Sequence, residues 1–255
     1  MILLLGGTRE TDLLAQQFAE AGYKVLVSTT TDLPQNLEMR PGVKRRSGPL
    51  DERGMALIII TRNIQAIVDC THPYTVKVRS TARLAAKAAG IPYFIYLRPE
   101  GITLEENVVF AGSHEEAADI AASFCRPVLL TTGSKKLESY VQACRKSGVD
   151  LVVRVSPETD SIKACTTAGI DWKFIVAGRG PFSVEKNQKT LKRFRIGVLV
   201  TKDSGKAGGV LEKLQAARLE DCRVVVVRRP PKPLGNVFED LADLVADVIA
   251  TVSKE

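Results

Sequence analysis

The fold is decided at the start of the chain, where residues 2–10 read ILLLGGTRE. Four consecutive apolar residues, Ile2–Leu5, are typical of a strand buried on both faces of a parallel sheet. Two glycines follow, and Thr11–Ala21 then has the spacing of an amphipathic helix that Gly22 ends. With a second strand at Lys24–Ser28, this β-α-β unit predicts a Rossmann-like parallel sheet.

The same alternation continues along the chain and predicts two Rossmann-like α/β domains, a dinucleotide-binding domain at 1–97 and a basic substrate domain at 98–255. The first domain continues with a strand at Ala66–Asp69, a helix at Val76–Ala89 with Gly90 as its C-cap, and a strand at Tyr93–Tyr96. Leu57–Thr61 is apolar, and its pattern fits either a strand or a helix.

The second domain begins after a Pro- and Gly-containing connection at Leu97–Asn107. Its predicted strands are Val128–Thr131, Leu151–Val155, Phe174–Ala177, Gly197–Thr201 and Arg223–Val227. Its predicted helices are Lys136–Lys146, Ser183–Phe194 and Gly209–Ala217. A Pro-rich connector at residues 228–233 precedes an acidic amphipathic helix predicted at 237–252. The sequence leaves open which domain this last helix packs on.

Composition narrows the class of protein. Apolar residues make up 45% and charged residues 25% of the chain, which is ordinary for a packed globular protein. The sequence contains no apolar run near the roughly 18 residues of a membrane helix, and its opening apolar run is too short for a secretory signal. We therefore expect a cytoplasmic protein without a membrane partner. The five cysteines are scattered without a CxxC pair, so we expect neither a metal site nor a disulfide framework.

Positive charge is concentrated in one part of the chain. Residues 126–235 carry 22 Lys and Arg against 10 Asp and Glu, whereas residues 1–125 carry 13 against 14. Such a surplus favours an anionic partner, either nucleic acid or a small molecule with several carboxylates or phosphates. Aromatic residues are not interleaved with the basic ones, which disfavours single-stranded nucleic acid.

Two loops at strand ends in the first half predict a dinucleotide site. Gly6-Gly7-Thr8 lets backbone N–H groups approach a phosphate at the start of a helix, although it lacks the GxGxxG pattern. The second strand ends in Ser28, Thr29, Thr30 and Thr31, and Asp32 comes too late to replace the acidic residue typical of NAD sites. Hydroxyl groups at that position favour NADPH, with NADH left open, and an ordinary hydroxyl-capped turn explains the same residues.

The loop after the strand Ala66–Asp69 carries the candidate catalytic side chains. Its sequence, DCTHPY over residues 69–74, places a hydroxyl, an imidazole and a phenol together at a strand end. A histidine in a loop can equally serve as a structural hydrogen-bonding group. Tyr74 and Lys77 do not form the Tyr-x-x-x-Lys pair of short-chain dehydrogenases, because the spacing is one residue short.

Three further glycine-containing loops follow strands of the basic half. They begin at Thr131, Gly178 and Thr201, and each contains a lysine or arginine. None matches the GxxxxGK[ST] pattern of nucleoside triphosphatases. Each could be simple turn chemistry, but together they predict a pocket for several carboxylates.

The ordered motifs of the chain resemble those of the precorrin-6A and cobalt-precorrin-6A reductase family. The motifs are Gly6-Gly7-Thr8-x-Glu10, Asp69-x-Thr71-His72-Pro73-Tyr74, Thr132-Gly133-Ser134-Lys135, Gly180-Pro181-Phe182-Ser183-x-Glu185-x-Asn187 and Lys202-Asp203-Ser204-Gly205-x-x-Gly208-Gly209. Cys70, Thr75 and Arg179 depart from the usual family residues without removing a polar group assigned to the site.

The resemblance implies two α/β domains with the active site in the cleft between them. It also implies hydride transfer from NADPH to one double bond of precorrin-6A or its cobalt form, a tetrapyrrole ringed by carboxylates, to give the dihydro product precorrin-6B. We expect no metal cofactor and no nucleic-acid partner. Two alternatives stay open: a reductase of another anionic substrate, and a non-catalytic NADPH-binding sensor.

Site residues are assigned on these grounds in three groups. The candidates nearest the chemistry are His72 and Tyr74. The predicted cofactor-binding residues are Gly6, Gly7, Thr8, Glu10, Ser28, Thr29, Thr30, Thr71, His72 and Pro73. The predicted substrate-binding residues are Gly133, Ser134, Lys135, Arg154, Gly180, Pro181, Phe182, Asn187, Lys202, Asp203, Ser204, Gly205 and Gly208.

Overall fold

A computed structural model describes residues 1–30, 41–102 and 107–253. The chain forms two compact units, one made of Met1–Pro99 and Pro230–Glu255 and the other of Glu100–Arg229. Both are α/β units with parallel sheets, so the predicted fold class is confirmed. Within the described residues, no helix is long and apolar enough to cross a membrane.

The strands and helices alternate along the chain. The strands are β1 (Ile2–Leu5), β2 (Val25–Thr29), β3 (Val43–Ser47), β4 (Ala66–Asp69), β5 (Tyr93–Tyr96), β6 (Val108–Ala111), β7 (Val128–Leu130), β8 (Leu151–Val155), β9 (Ile175–Ala177), β10 (Val198–Lys202), β11 (Arg223–Val227) and β12 (Asn236–Phe238). The helices are α1 (Glu10–Glu20), α2 (Glu52–Thr61), α3 (Val76–Ala89), α4 (His114–Ser123), α5 (Leu137–Lys146), α6 (Thr159–Thr167), α7 (Val184–Arg193), α8 (Val210–Leu219) and α9 (Leu241–Thr251).

The first unit contains a parallel sheet in the order β12-β5-β4-β1-β2-β3. The chain runs outward from β1 to β3 and then returns to β4 on the other side of β1. The register pairs Leu5 with both Ser28 and Asp69, so the loops after β1, β2 and β4 start side by side. In open α/β sheets, ligands bind at such a reversal point, beyond the carboxyl ends of the strands.

Two apolar layers cover this sheet. Helices α1 and α9 cover one face through Phe18, Leu244 and Val248, and α2 and α3 cover the other through residues such as Met55 and Ala82. All five side chains are fully buried. Because both faces are covered, β1 is apolar at every position, as the opening sequence predicts.

The second unit repeats this arrangement in the order β6-β11-β10-β7-β8-β9. The chain again runs outward from β7 to β9 and then returns to β10 beside β7. Leu130 of β7 pairs with Val200 of β10 and with Val153 of β8, so the loops after these three strands also start together. The predicted anion-binding loops therefore lie at one edge of one sheet.

The C-terminal segment corrects part of the sequence interpretation. Pro230–Glu255 was grouped with the second domain, with the packing of its helix left open, and it clusters with the first unit. The predicted helix at 237–252 was wrong at its start, because Asn236–Phe238 is a strand that pairs with β5. Asp240 then caps α9 by accepting hydrogen bonds from the N–H groups of Ala242 (2.7 Å) and Asp243 (3.2 Å).

Other elements differ less from expectation. Leu57–Thr61, which fitted either a strand or a helix, is the end of α2. The predicted C-cap at Gly90 is confirmed by its left-handed conformation, and Ser183 caps α7 as predicted. Besides β12, four elements were not predicted: β3, β6, α4 and α6. Strand β3 was missed because its sequence, VKRRS, is mostly polar at the edge of the sheet.

Candidate functional site

The turn after β1 takes its shape from two glycines, Gly6 and Gly7. Gly7 has φ +110°, and a side chain built there would meet no atom within 4 Å. At Gly6 a Cβ would lie 2.4 Å from Thr11 Cγ2, so only glycine fits under the first turn of α1. Thr11 Oγ1 accepts hydrogen bonds from the N–H groups of Gly7 and Thr8, both at 3.2 Å. The turn is thus rigid on one side and open on the other.

Glu10 was assigned to the cofactor, and in the structure its carboxylate is paired with Arg98. The Nε of Arg98 donates to Glu10 Oε1 at 2.7 Å, and its Nη2 donates to Oε2. Both side chains are largely buried. Burial raises the pKa of Glu10, but the hydrogen bond and the charge of Arg98 outweigh burial and leave that pKa below its ordinary value. Glu10 therefore holds the start of α1 in place as an ionised carboxylate.

The end of β2 carries hydroxyl groups and a guanidinium. Ser28 and Thr29 are buried. Arg46 of β3, the residue paired with Ser28 in the sheet, donates from Nη1 to Ser28 Oγ at 2.8 Å and to the Gly48 carbonyl at 3.0 Å. Arg46 was not predicted, because the sequence did not reveal β3. Thr31 and Asp32 lie outside the described residues.

These loops surround a cavity of about 580 Å³. Of the predicted cofactor residues, Gly6, Ser28, Thr29, Thr30 and Thr71 line it. The cations Arg53 and Lys77 line it as well, together with the carboxylates Asp51 and Glu52. Asp51 accepts a hydrogen bond from Gly54 N at 2.8 Å and so caps α2. Gly7, Thr8, Glu10, His72 and Pro73 lie outside this lining.

A buried network fixes the loop that carries His72. Asp69 is fully buried, and its Oδ1 accepts from Thr71 N (2.8 Å) and Thr71 Oγ1 (2.6 Å). Its Oδ2 accepts from Arg79 Nε (3.1 Å) and from the Tyr93 hydroxyl (2.7 Å). Arg79 also donates to the Pro73 carbonyl at 3.2 Å. Burial, followed by the charge of Asp69, raises the pKa of Tyr93, so its hydroxyl remains a donor.

The two catalytic candidates lie next to each other in this loop. The rings of His72 and Tyr74 are 5.5 Å apart between centroids. Tyr74 N donates to His72 Nδ1 at 3.4 Å. Beside them, Thr8 Oγ1 donates to the Cys70 carbonyl at 3.0 Å and joins this loop to the glycine turn.

In the second unit, the loops after β7 and β10 bring cations together. Lys202 ends β10 and is partly buried, and burial and the charge of Lys135 lower its pKa. The pKa of His114 on α4 is lowered to about 4. Burial is the largest cause, and the charge of Lys202 adds to it. His114 Nδ1 lies 2.9 Å from the Tyr140 hydroxyl. His114 was missed by the sequence interpretation because α4 was not predicted.

Arg154, Phe182 and Asn187 form a second cluster in this unit. Arg154 Nη1 donates to Asn187 Oδ1 at 2.8 Å, and the guanidinium carbon lies 4.3 Å from the Phe182 ring centroid. Asn187 Nδ2 donates to the carbonyls of Phe182 (3.1 Å) and Ser183 (2.9 Å). The three predicted residues are therefore brought together, although they come from β8 and from the start of α7.

The Asp203 carboxylate is held by hydrogen bonds from other parts of the same unit. Its carboxylate accepts from Gly101 N (3.1 Å), Gly205 N (3.0 Å) and Arg229 Nη2 (3.2 Å), and the side chain is buried. Gly101 and Arg229 are close to the two ends of this unit, so one carboxylate joins both ends to the loop after β10. The other predicted substrate residues lie in the loops after β7, β9 and β10: Gly133, Ser134, Gly180, Pro181, Ser204, Gly205 and Gly208.

Comparison with known proteins gives a consistent result. Residues 1–249 match the family model described as precorrin-6x reductase CbiJ/CobK. The chain is 35% identical over 246 residues to a cobalt-precorrin-6A reductase of Priestia megaterium, covering 96% of each chain. It is 31% identical over 241 residues to a precorrin-6A reductase of Mycobacterium tuberculosis, covering 94% of this chain and 93% of the relative. A solved structure named CobK precorrin-6A reductase matches with a TM-score of 0.79 at 21% identity, covering 98% of this chain and 96% of the other, which supports the fold.

Proposed function

The chain belongs to the precorrin-6x reductase family, and on that premise we propose that it reduces precorrin-6A or its cobalt form with NADPH. Membership makes it an oxidoreductase of corrin biosynthesis that uses a nicotinamide cofactor. The alternative of a non-catalytic sensor has no support, because the curated relatives are named as reductases. The finer points, NADPH rather than NADH and the residues of each site, are proposals.

The preference for NADPH rests on the end of β2. Ser28, Thr29 and Thr30 line the cavity where an NAD site usually has a carboxylate for the ribose hydroxyls. Arg46 is hydrogen-bonded to Ser28, and Arg53 lines the same cavity. Hydroxyl and guanidinium donors suit a 2′-phosphate, because each bond to it is charge-assisted. This arrangement is the observation that carries the proposal.

The residues of the first unit fit a dinucleotide. The open side of Gly7 at the start of α1 would accept the pyrophosphate, and the loop fixed by Asp69 would hold His72 and Tyr74 at the nicotinamide end. When bound, the reduced nicotinamide supplies a hydride. The chain's own contribution is to orient the cofactor and to exclude water. Because orientation lowers the activation barrier for hydride transfer, we expect any single acid–base residue to contribute less to the rate.

The proposed substrate residues of the second unit bind carboxylates. Lys135 and Lys202 are close enough for one to lower the pKa of the other, and a carboxylate between them would relieve this repulsion. Asp203 supports their loop through its hydrogen bonds with Gly205 and Arg229. On this proposal, the surplus of cations in residues 126–235 attracts and binds a small polycarboxylate.

Oxidation of the reduced nicotinamide, followed by absorbance, tests this proposal. NADPH and NADH are each offered with precorrin-6A and with its cobalt form. Corrinoid-dependent oxidation of NADPH at a higher kcat/KM than NADH is expected, and no oxidation with either tetrapyrrole would contradict the reductase assignment. In Arg53→Met, which removes the guanidinium that lines the cavity, kcat/KM for NADPH should fall about tenfold with little change for NADH. Arg62→Met, an exposed arginine that does not line the cavity, is the control. Equal losses for both cofactors would contradict the 2′-phosphate assignment.

A further inference from the structure

Lys213 of α8 is a cation that no motif identified. Its Nζ lies 3.5 Å from Thr201 Oγ1, near the end of β10. Arg154 is its charged neighbour, and Glu212 on its own helix is the nearby carboxylate. Burial and then Arg154 lower the pKa of Lys213 to about 8, and Glu212 does not offset them. Lys213 and Arg154 thus form a pair of cations with too little negative charge around them.

Arg154 has an unused donor in the same place. Only 5% of the surface of this residue is exposed. Nη1 bonds Asn187, whereas Nη2 is buried and has no hydrogen-bond partner among the described residues. A buried donor without an acceptor is unfavourable, so a carboxylate oxygen supplied from outside would be strongly favoured.

This pair is separate from the pair formed by Lys135 and Lys202. Successive residues of a strand point to opposite faces of the sheet, so Thr201 and Lys202 face opposite ways. Thr201 shares the face of Leu199, which packs among residues of α7 and α8, and Lys213 lies there. The charge of Lys202 instead lowers the pKa of His114 of α4, and the charge of Lys135 lowers the pKa of Lys202. Two cation pairs therefore flank the same edge, where β7 and β10 meet.

We propose that Arg154 and Lys213 together bind one carboxylate of the tetrapyrrole, and that Lys135 and Lys202 bind a different one. This inference rests on the proposed function. Arg154 supplies a planar donor whose orientation is fixed by Asn187 and Phe182, and Lys213 supplies an ammonium beside Thr201. Holding two carboxylates at once fixes the rotation of the macrocycle in its plane, which one contact alone cannot do.

Equilibrium binding of precorrin-6A, followed by the absorbance of the tetrapyrrole itself, tests the inference without turnover. Lys213→Met keeps the length of the side chain and removes its charge, and Kd should rise about tenfold or more. Lys213→Arg should stay within about threefold of wild type, because the charge remains. Lys189→Met, an exposed lysine of α7, is the matched control and should not change Kd. An unchanged Kd in Lys213→Met would overturn the proposal.

Double-mutant cycles test whether the two pairs of cations bind the same carboxylate or two different ones. If the carboxylates differ, the effects of Lys213→Met and Lys202→Met on Kd should multiply. The effects of Lys213→Met and Arg154→Met should combine to less than their product, because both remove the same contact. The reverse pattern would contradict the assignment. Where Arg154→Met lowers folding, shown by circular dichroism, Asn187→Ala replaces it, since it removes the acceptor that orients Arg154.

The pH dependence provides an independent readout. Lys213 binds an anion when protonated, so affinity should fall as pH rises through about 8 in the wild type. Arg154 and Glu212 are the charged groups facing it, and burial lowers the pKa of Arg154 only to about 10, so Arg154 stays charged near pH 8. Lys213→Arg should make the fall smaller, and what remains belongs to Lys202, whose pKa is also lowered. A fall as large as in the wild type would contradict the proposal. A wild-type chain that binds precorrin-6A but oxidises no NADPH would overturn the proposed function alone.

Discussion

Arg79 Nε donates a hydrogen bond to Asp69 Oδ2 at 3.1 Å, and this ion pair is buried beneath the loop that carries His72. The two residues are ten positions apart, one at the end of β4 and the other on α3. Their pairing joins the sheet to the helix that follows the loop. The loop is therefore held from below by a fixed charge pair and is not set by its own sequence alone.

Removing Arg79 should destabilise the first unit strongly. Arg79→Met leaves the Asp69 carboxylate buried without its cation, which typically costs about 3–5 kcal/mol. Tyr93→Phe removes one hydrogen bond to the same carboxylate and should cost about 1–3 kcal/mol. Urea unfolding measures both. A loss below about 1 kcal/mol in Arg79→Met would show that the pair does not support the loop.

The pair of Glu10 and Arg98 should make stability depend on acid. The pKa of Glu10 is lower in the folded state than its ordinary value of 4.5, so its contribution is complete above that value and is lost as pH falls through the lowered pKa. Glu10→Gln should lose about 3 kcal/mol at pH 7. Between pH 5 and about pH 3 its free energy of unfolding should then fall less than that of the wild type. Equal acid sensitivity of the two proteins would contradict the role of Glu10.

His72→Ala should lower turnover without abolishing it. Hydride transfer depends mainly on orientation, and a single acid–base group contributes about 10²–10⁴ in rate. His72→Asn keeps an acceptor for Tyr74 N and should recover part of the loss if His72 acts by positioning the loop. Turnover and the Kd for both ligands are measured together. A loss beyond that range with normal binding would show that His72 does more than position the loop.

Lys202→Ala should raise the Michaelis constant for the tetrapyrrole by about tenfold to a hundredfold. The affinity for NADPH should stay nearly unchanged, because the proposed cofactor residues lie in the other unit. Lys189→Ala is the exposed control and should change either constant by less than about threefold. Weaker NADPH binding with an unchanged Michaelis constant would mean that the two sets of loops were assigned the wrong ligands.

The sequence by itself determined the class of fold and pointed to most of the loops that are proposed for the site. Local signals were enough: the apolar run Ile2–Leu5, the glycines that follow it, and similar turns after Thr131 and Thr201. A buried parallel strand must be apolar, and a tight strand-to-helix turn needs glycine, so these features can be recognised within a few residues. The segregation of charge predicted an anionic partner without any knowledge of the fold.

Only the tertiary structure decided which side chains meet. Arg46 reaches Ser28 because β3 pairs with β2 in one register, and the polar sequence of β3 hides that it is a strand. Lys213 lies on a helix and approaches Arg154 only once α8 packs over the sheet. Asp240, at the end of the chain, caps a helix of the first unit. Contacts of this kind depend on strand register and helix packing between residues far apart in sequence, which local patterns do not encode.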